Sequence, residues 1–558
     1  MVLGQRPVRG PSSWPPRGRA WAASQSGHSV RGEVRSERLP VNRLLAALSG
    51  VLATLAGVAA GHLAAALLDP ATSPVLAVGS QVIDLTPTPV KEWAISQFGT
   101  RDKPILIGSV LVGVVLLAAV AGLLARRRFA YGAAVFVLLV AVPAVIAVTR
   151  PTAGVSAVVP SLVALVVGLA ALAWLVRAAA PAAVGGRVGA PAEDRVEDRR
   201  PGEAGGPSRR GLLVAMGVVA GAAAVLGGAG RWVASYRTRA VDIDLPAAAK
   251  PLPPLPEGLE ARFAGITPLQ VANSDFYRVD TRLDVPIVDV EEWTLTIDGD
   301  VEEEVTFTLD DILAMDLVEK DITLTCVSNS VGGEFVGGAR WLGVPLNELL
   351  DRAGVGSRAD QILSTDVDGM TISTPLALAT DGRDALLAVG MNGEQLPREH
   401  GFPARMVIPG LYGFISATKW VTRMTLTTYD AETAYWTDRD WATDAPIKPS
   451  SRIDTPRALA PLDVGEVVVG GVAWAQQNGG VGTVQVRIDG GPWQDAELGP
   501  DVGNDYWRQW FYRWDAASGQ HRIASRVVDG DGDPQSPVRA NPFPEGSSGI
   551  QELIVTVG

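Results

Sequence analysis

Five stretches of this sequence stay apolar for as long as a helix needs to cross a bilayer, and the rest of the fold has to be arranged around them. They are about Val41–Leu68, Ile105–Ala125, Phe129–Thr149, Val155–Val176 and Gly211–Gly230. A hydrocarbon core takes ~20 residues of helix to span. A helix buried in a soluble core rarely runs so long without charge, and these runs contain almost none. The expectation is a five-helix transmembrane bundle, with four helices in residues 41–176 and a fifth at 211–230.

Orientation follows from the arginines, because positively charged loops resist translocation. Eight lie between Arg6 and Arg43, three more form Arg126-Arg127-Arg128, and others fall in the 177–210 linker. These segments alternate with poorly basic ones. A basic tail, 1–40, and the linker are therefore expected in the cytoplasm, and everything after the fifth helix on the outer side of the cytoplasmic membrane. Charge divides in the same place: residues 1–230 carry 22 Lys and Arg against 11 Asp and Glu, and residues 231–558 carry 26 against 49. No nucleic-acid partner is expected.

Within the linker, Ser208-Arg209-Arg210-Gly211-Leu212-Leu213 resembles a twin-arginine export signal placed inside the chain. Two arginines at the cytoplasmic end of a helix are the plainer reading. The export reading gains weight if the outer domain must fold around a cofactor before crossing. The chain has a single cysteine, Cys326, so an exported half of over 300 residues holds no internal disulfide although its compartment permits them. Such a cysteine is either a small buried filler or a group with its own chemistry.

A Pro-rich stretch, Leu245–Pro256, reads as an extended, semi-rigid spacer holding the next domain off the membrane. Residues 263–450 then alternate strand-like runs (Trp293–Ile297, Ile322–Cys326, Arg405–Ile408, Thr422–Thr428) with short helical ones (Leu309–Met315, Leu346–Ala353), an α+β pattern. Residues 455–558 hold Val467–Trp474, Thr483–Ile488, Arg508–Trp514, His521–Val528 and Ile550–Val557, separated by Gly, Asp and Pro turns. That spacing predicts a β-sandwich. Asp529-Gly530-Asp531-Gly532 is a turn rather than a calcium loop, since the twelve-residue ligand pattern is missing.

Cys326 follows a strand-like run and leads into Gly332-Gly333 and Gly337-Gly338, a placement in which a thiolate can ligate a soft metal. Downstream lie His400–Arg405, Pro409–Gly413 and Ser416-Ala417-Thr418-Lys419-Trp420, donors and cations suited to an anionic phosphate, with Arg405 offering a planar fork. Taken with Cys326-x-x-Asn329, Arg340-Trp341-x-Gly343-Val344-Pro345-Leu346 and Met391-Asn392-Gly393-x-x-Leu396-Pro397, these pieces resemble the molybdopterin-binding domain of the sulfite oxidase family. The last unit is similar to that family's immunoglobulin-like dimerisation domain, in Gly471–Trp474, Val486-x-x-Asp489-Gly490-Gly491-x-Trp493, Trp507-x-x-Trp510 and Arg526–Asp529.

The resemblance implies one molybdenum–molybdopterin per chain, with Cys326 as the protein's metal ligand. It implies pterin contacts from Asn273, Phe276, Tyr277, His400 and Arg405, from Ser416, Ala417, Thr418 and Lys419, and from Thr365, where the match is loose. It departs from the family at the substrate. Arginines expected after the cysteine are Ser330 and Val331, another is Val279 with Arg278 and Arg282 nearby, and Trp441 stands where a catalytic tyrosine would be. A doubly charged anion needs paired cations in a buried site. S- or N-oxide reduction is therefore favoured over sulfite oxidation.

No Cys-x-x-Cys-His haem site and no iron–sulfur cysteine set occurs, and one membrane run holds a histidine, His62. Electrons are expected to pass through a separate cytochrome or quinone-linked partner. A homodimer through the last domain is a family expectation. Two other classes fit parts of the sequence: a membrane receptor or assembly protein that keeps the scaffold without the chemistry, and a cysteine hydrolase pairing Cys326 with His400.

Overall fold

The computed structural model describes residues 41–87, parts of 90–98, 102–149, 154–179, 209–237 and 242–558. The basic tail 1–40 and nearly all of the linker, including Ser208 of the twin-arginine-like motif, lie outside the described residues.

Among the described residues, five helices are long and apolar enough to cross a membrane: α1 (Val41–Leu67), α3 (Asp102–Ala125), α4 (Phe129–Val148), α5 (Val159–Ala178, entered through the turn Val155–Val158) and α6 (Arg209–Arg237). Small residues let α1 sit against its neighbours at backbone distance. A Cβ on Gly50 would lie 2.1 Å from the Ala118 carbonyl oxygen, and one on Gly57 would lie 2.5 Å from that of Ala164. Without a hydrophobic drive between helices in lipid, such close approach is what holds a bundle together. The bundle's outer surface is apolar, with Leu116, Leu138, Val166 and Val225 all more than 60% exposed. A surface of that kind suits lipid contact. A sixth helix, α2 (Pro74–Leu85), is too short to span and follows α1 at the end of the bundle remote from Arg126–Arg128.

Residues 242–450 hold two five-stranded sheets around one core. The first has the order 305–308, 294–299, 421–427, 361–366, 371–375; the second runs 318–325, 336–345, 386–391, 394–395, with 405–407 paired to 386–391. Residues 450–557 form a four-stranded and a five-stranded sheet closed over Val469, Val484, Trp510, Ile523, Val527 and Val555, a two-sheet β-sandwich. The stretch expected as a spacer is extended but tied down. Ala249 N donates to Leu317 O at 2.8 Å, Leu252 N to Glu319 Oε2 at 2.7 Å, and Arg340 reaches the Pro253 carbonyl at 2.9 Å.

The sandwich stands behind the strand that carries Cys326. Gln476 Nε2 donates to Thr323 O at 2.9 Å, Trp507 N to Thr323 Oγ1 at 2.8 Å, and Trp507 Nε1 to Leu269 O at 2.7 Å. Gly337 and Gly338, the second glycine pair after Cys326, lie inside strand 336–345. A Cβ on Gly337 would meet Phe276 at 2.8 Å, and one on Gly338 would meet Tyr506 at 2.6 Å. Their small size admits those rings rather than loosening the chain.

Candidate molybdopterin site

Strand 318–325 ends at a turn that fixes Cys326. Cys326 N donates to Phe335 O and Asn329 N to Cys326 O, both at 3.0 Å, while the Asn329 side chain accepts from Phe335 N at 3.0 Å. The Cys-x-x-Asn spacing is thus a closed turn with a physical purpose. The sulfur is buried; Ser328 N approaches it at 3.4 Å. Burial pushes the thiol's pKa up, opposed by the Ser328 hydrogen bond and the Lys419 charge.

The 398–400 turn ends at Gly401, whose φ of 116° suits glycine and whose bare Cα lets the turn close on Arg405 and Lys419. His400 Nε2 lies 3.0 Å from the Asn273 carbonyl. A carbonyl only accepts, so that nitrogen carries the proton and Nδ1 is left as the acceptor of the neutral ring. Burial and the Arg405 charge push the His400 pKa down to about 4, so the ring is neutral near pH 7. Cys326 and His400 are not hydrogen-bonded to each other among the described residues, and Nε2 is committed to Asn273, so the hydrolase pairing has no geometric basis.

Arg405 is buried, donates to His400 O at 3.0 Å and lies 5.1 Å from the Trp341 ring centre, with no carboxylate partner among the described residues. Burial lowers its pKa to about 10. Lys419 is also lowered, to about 8, by burial and the Arg405 charge, against the pull of Asp280 at 3.0 Å. A buried guanidinium facing no anion is costly. The phosphate of a bound pterin supplies that anion, so these residues fit the cofactor.

A cavity of about 410 Å³ joins Phe276, Tyr277, Cys326, His400, Arg405, Ala417, Thr418, Lys419 and Trp441. Asn273, Thr365 and Ser416 do not line it, and each has another position. Asn273 holds His400 and Asn392, Thr365 sits mid-sheet opposite Arg423, and Ser416 Oγ donates to the Leu411 and Tyr412 carbonyls. The cavity also touches residues the sequence did not single out, among them Phe335, Met370 and, on the helical bundle, Ile83, Thr86 and Leu106. No local motif marks these, since tertiary contact alone brings them there.

Apart from Arg405, the cations near the cavity have aspartate partners, two of them sharing one. Arg282 pairs with Asp368 and, at 3.1 Å, with Asp366; Arg278 pairs with Asp280 at 2.7 Å, and Asp280 also holds Lys419. Trp441 is boxed by Phe414, Trp436 and Phe543 at 5.2–5.9 Å between ring centres, and its buried Nε1 has no partner among the described residues.

Residues 282–436 match the family described as "Oxidoreductase molybdopterin binding domain". This is a domain of the sulfite oxidase family. The chain is 31% identical over 275 residues to mitochondrial sulfite oxidase of Rattus norvegicus, covering 42% of this chain and 50% of that one. It is 30% identical over 210 residues to a nitrate reductase [NADH] of Brassica napus, covering 33% of this chain and 22% of that one. Among solved structures, the sulfane dehydrogenase SoxCD from Paracoccus pantotrophus aligns at a TM-score of 0.47 and 24% identity, over 53% of this chain and 83% of that one. The chain spans about half the length of the sulfite oxidases it matches. The family's phosphate-bearing pterin fits the lysine described above. Its affinity is expected to be level below pH 8 and to fall above it, because Lys419 loses its proton there and the bound phosphate favours the charged form. Equilibrium titrations of the cofactor-free protein between about pH 7 and about pH 9.5 check this, with Lys419→Met expected to flatten the dependence.

Proposed function

We infer that this protein is a membrane-anchored, extracytoplasmic molybdenum oxidoreductase that transfers an oxygen atom on a small uncharged sulfur or nitrogen compound, with S- and N-oxide reduction favoured over sulfite oxidation. The observation that carries the reading is one cavity holding the buried Cys326 thiol and Arg405, a buried guanidinium without a carboxylate partner among the described residues. Cys326 is the protein's metal ligand, Arg405 and Lys419 hold the pterin phosphate, and Phe276, Tyr277 and neutral His400 flank the pterin. When bound, the cofactor supplies the two-electron oxygen-atom transfer. The chain supplies position: Asn329 closes the turn that aims the sulfur, and aromatic walls around Trp441 exclude water.

Substrate charge follows from the ion pairs. With Arg282 matched by Asp366 and Asp368, Arg278 by Asp280, and Arg405 and Lys419 taken by the pterin phosphate, sulfite would have to be desolvated without a spare cation. The Trp441 indole N–H is a neutral donor suited to an oxide oxygen. Electrons move singly to or from a separate cytochrome or quinone-linked protein. The β-sandwich is the immunoglobulin-like unit of the family, and a homodimer through it is part of this reading.

The test is elemental analysis of the detergent-purified chain, wild type beside Cys326→Ser. About one molybdenum per wild-type chain, as stoichiometric ligation requires, with turnover of sulfoxides or N-oxides using artificial electron donors, is expected. Metal-free protein from cells that make the cofactor would transfer the reading to a receptor or assembly protein.

A further inference from the structure

We propose that the ligand of this site is an uncharged oxide bearing a long apolar substituent, and that it reaches Cys326 from the bilayer along a passage roofed by α2 and the start of α3. The proposal rests on the functional reading above and adds the substrate class to it.

The cavity does not end within the catalytic domain. Besides Cys326 and Phe335 its lining takes in Val279, Met370 and Trp436 and, on the helical bundle, Ile83 and Thr86 at the α2 end and Leu106 of α3. Contact holds α2 on the catalytic domain: Gly79 lies so near Leu283 that a Cβ would come 2.5 Å from its Cδ1. This end of the bundle is also where α6 leads toward the catalytic domain, pinned by Arg237, whose guanidinium donates to the Ala66 carbonyl at 2.9 Å. The cavity therefore reaches the helical bundle at the end where α2 and the start of α3 stand against the catalytic domain.

A small ion crossing such a passage would need water or charge along its walls, and the walls here are mainly apolar. Of the cations on the cavity, Arg282 is paired with Asp366 and Asp368 and Arg278 with Asp280, which Lys419 shares, while Arg405 and Lys419 are the two assigned to the pterin phosphate. The cavity wall includes Trp441, whose buried indole Nε1–H has no partner among the described residues and is a donor for a single acceptor oxygen. One acceptor at the head and an apolar wall running outward to the membrane helices define a ligand with an oxide head and an apolar tail. Relative to ligand free in water, each tail methylene moved onto that wall strengthens binding about fourfold, the ratio that ~0.8 kcal/mol per buried CH₂ gives at 25 °C.

The experiment uses the full, cofactor-loaded chain in lipid nanodiscs with alkyl methyl sulfoxides of increasing chain length, one carrying a terminal diazirine. Photolabelling is expected on peptides spanning Pro74–Leu85 and the start of Asp102–Ala125, displaced by excess unlabelled octyl methyl sulfoxide but not by octane. Efficiency, kcat/KM, is expected to rise about threefold to fourfold per methylene. Ile83→Glu and Leu106→Glu are each expected to abolish both the displaceable label and the chain-length gain, since neither changes partition of the probe into the disc. Turnover of short sulfoxides with no chain-length gain and no displaceable label would overturn the passage and leave oxygen-atom transfer standing. Displaceable label on α2 without turnover of any oxide would support the passage and refute the catalytic reading.

Discussion

Cys326→Ser is expected to leave a folded, membrane-inserted protein with no measurable turnover. The substitution changes one atom at a buried position whose backbone is fixed independently of the sulfur, by Phe335 O and Asn329 on the near side and by Thr323, Gln476 and Trp507 behind. The turn therefore survives. A hydroxyl of ordinary pKa replaces a thiol that yields a soft thiolate ligand, and soft ligands are what a molybdenum–dithiolene centre takes from a protein. Arg405, Lys419 and His400 are untouched, so the pterin phosphate remains held and the cofactor content is expected to fall far less than the activity. The paired measurement is molybdenum per chain and turnover in the same preparation, with thermal unfolding to confirm the fold. Full activity in the serine variant would remove Cys326 from the centre.

How far the sequence reached depended on whether a feature needed its neighbours in space. The five long apolar helices were legible because a charge-free run of bilayer length carries its own meaning; the observed helices begin and end within a few residues of the runs, except that α6 continues to Arg237. Helix α2 was not foreseen, because twelve residues with Gly79, Ser80 and Gln81 in the middle give no strong period, and its place over the catalytic domain is a tertiary fact. Strand 386–391 is buried along its whole length, so the alternation that betrays a half-buried strand is missing. At the site, Cys326, His400 and Arg405 were named through the family resemblance, and the structure brings the three to one cavity. The neutralisation of Arg282 could not be found from the sequence, since Asp366 and Asp368 lie more than eighty residues away in sequence and arrive by the pairing of strand 361–366 with 421–427. That difference bears on the chemistry, because the sequence alone left Arg282 available as an anion-binding cation.

Trp341→Ala is expected to cost about 3–5 kcal/mol, the usual range for emptying a large aromatic site in a core. Trp341 is fully buried in the second sheet, and its Nε1 donates to Ile322 O at 3.1 Å, tying strand 336–345 to the strand that carries Cys326. Its ring meets Phe276 edge-on at 5.9 Å and underlies Arg405 at 5.1 Å. Removal therefore acts twice: it opens a cavity under Phe276 and strips a buried guanidinium of the π-face that partly offsets its desolvation. At ~2–4 °C per kcal/mol for a domain of this size, the catalytic-domain transition is expected to fall by about 10 °C. Trp341→Phe keeps a ring face and loses the indole N–H, so it should recover most of the stability and nearly all of the cofactor retention. If the phenylalanine variant instead loses the cofactor as completely as alanine, the hydrogen bond to Ile322 rather than the ring face sets the position of Arg405. Calorimetry and molybdenum content on the two variants separate these cases.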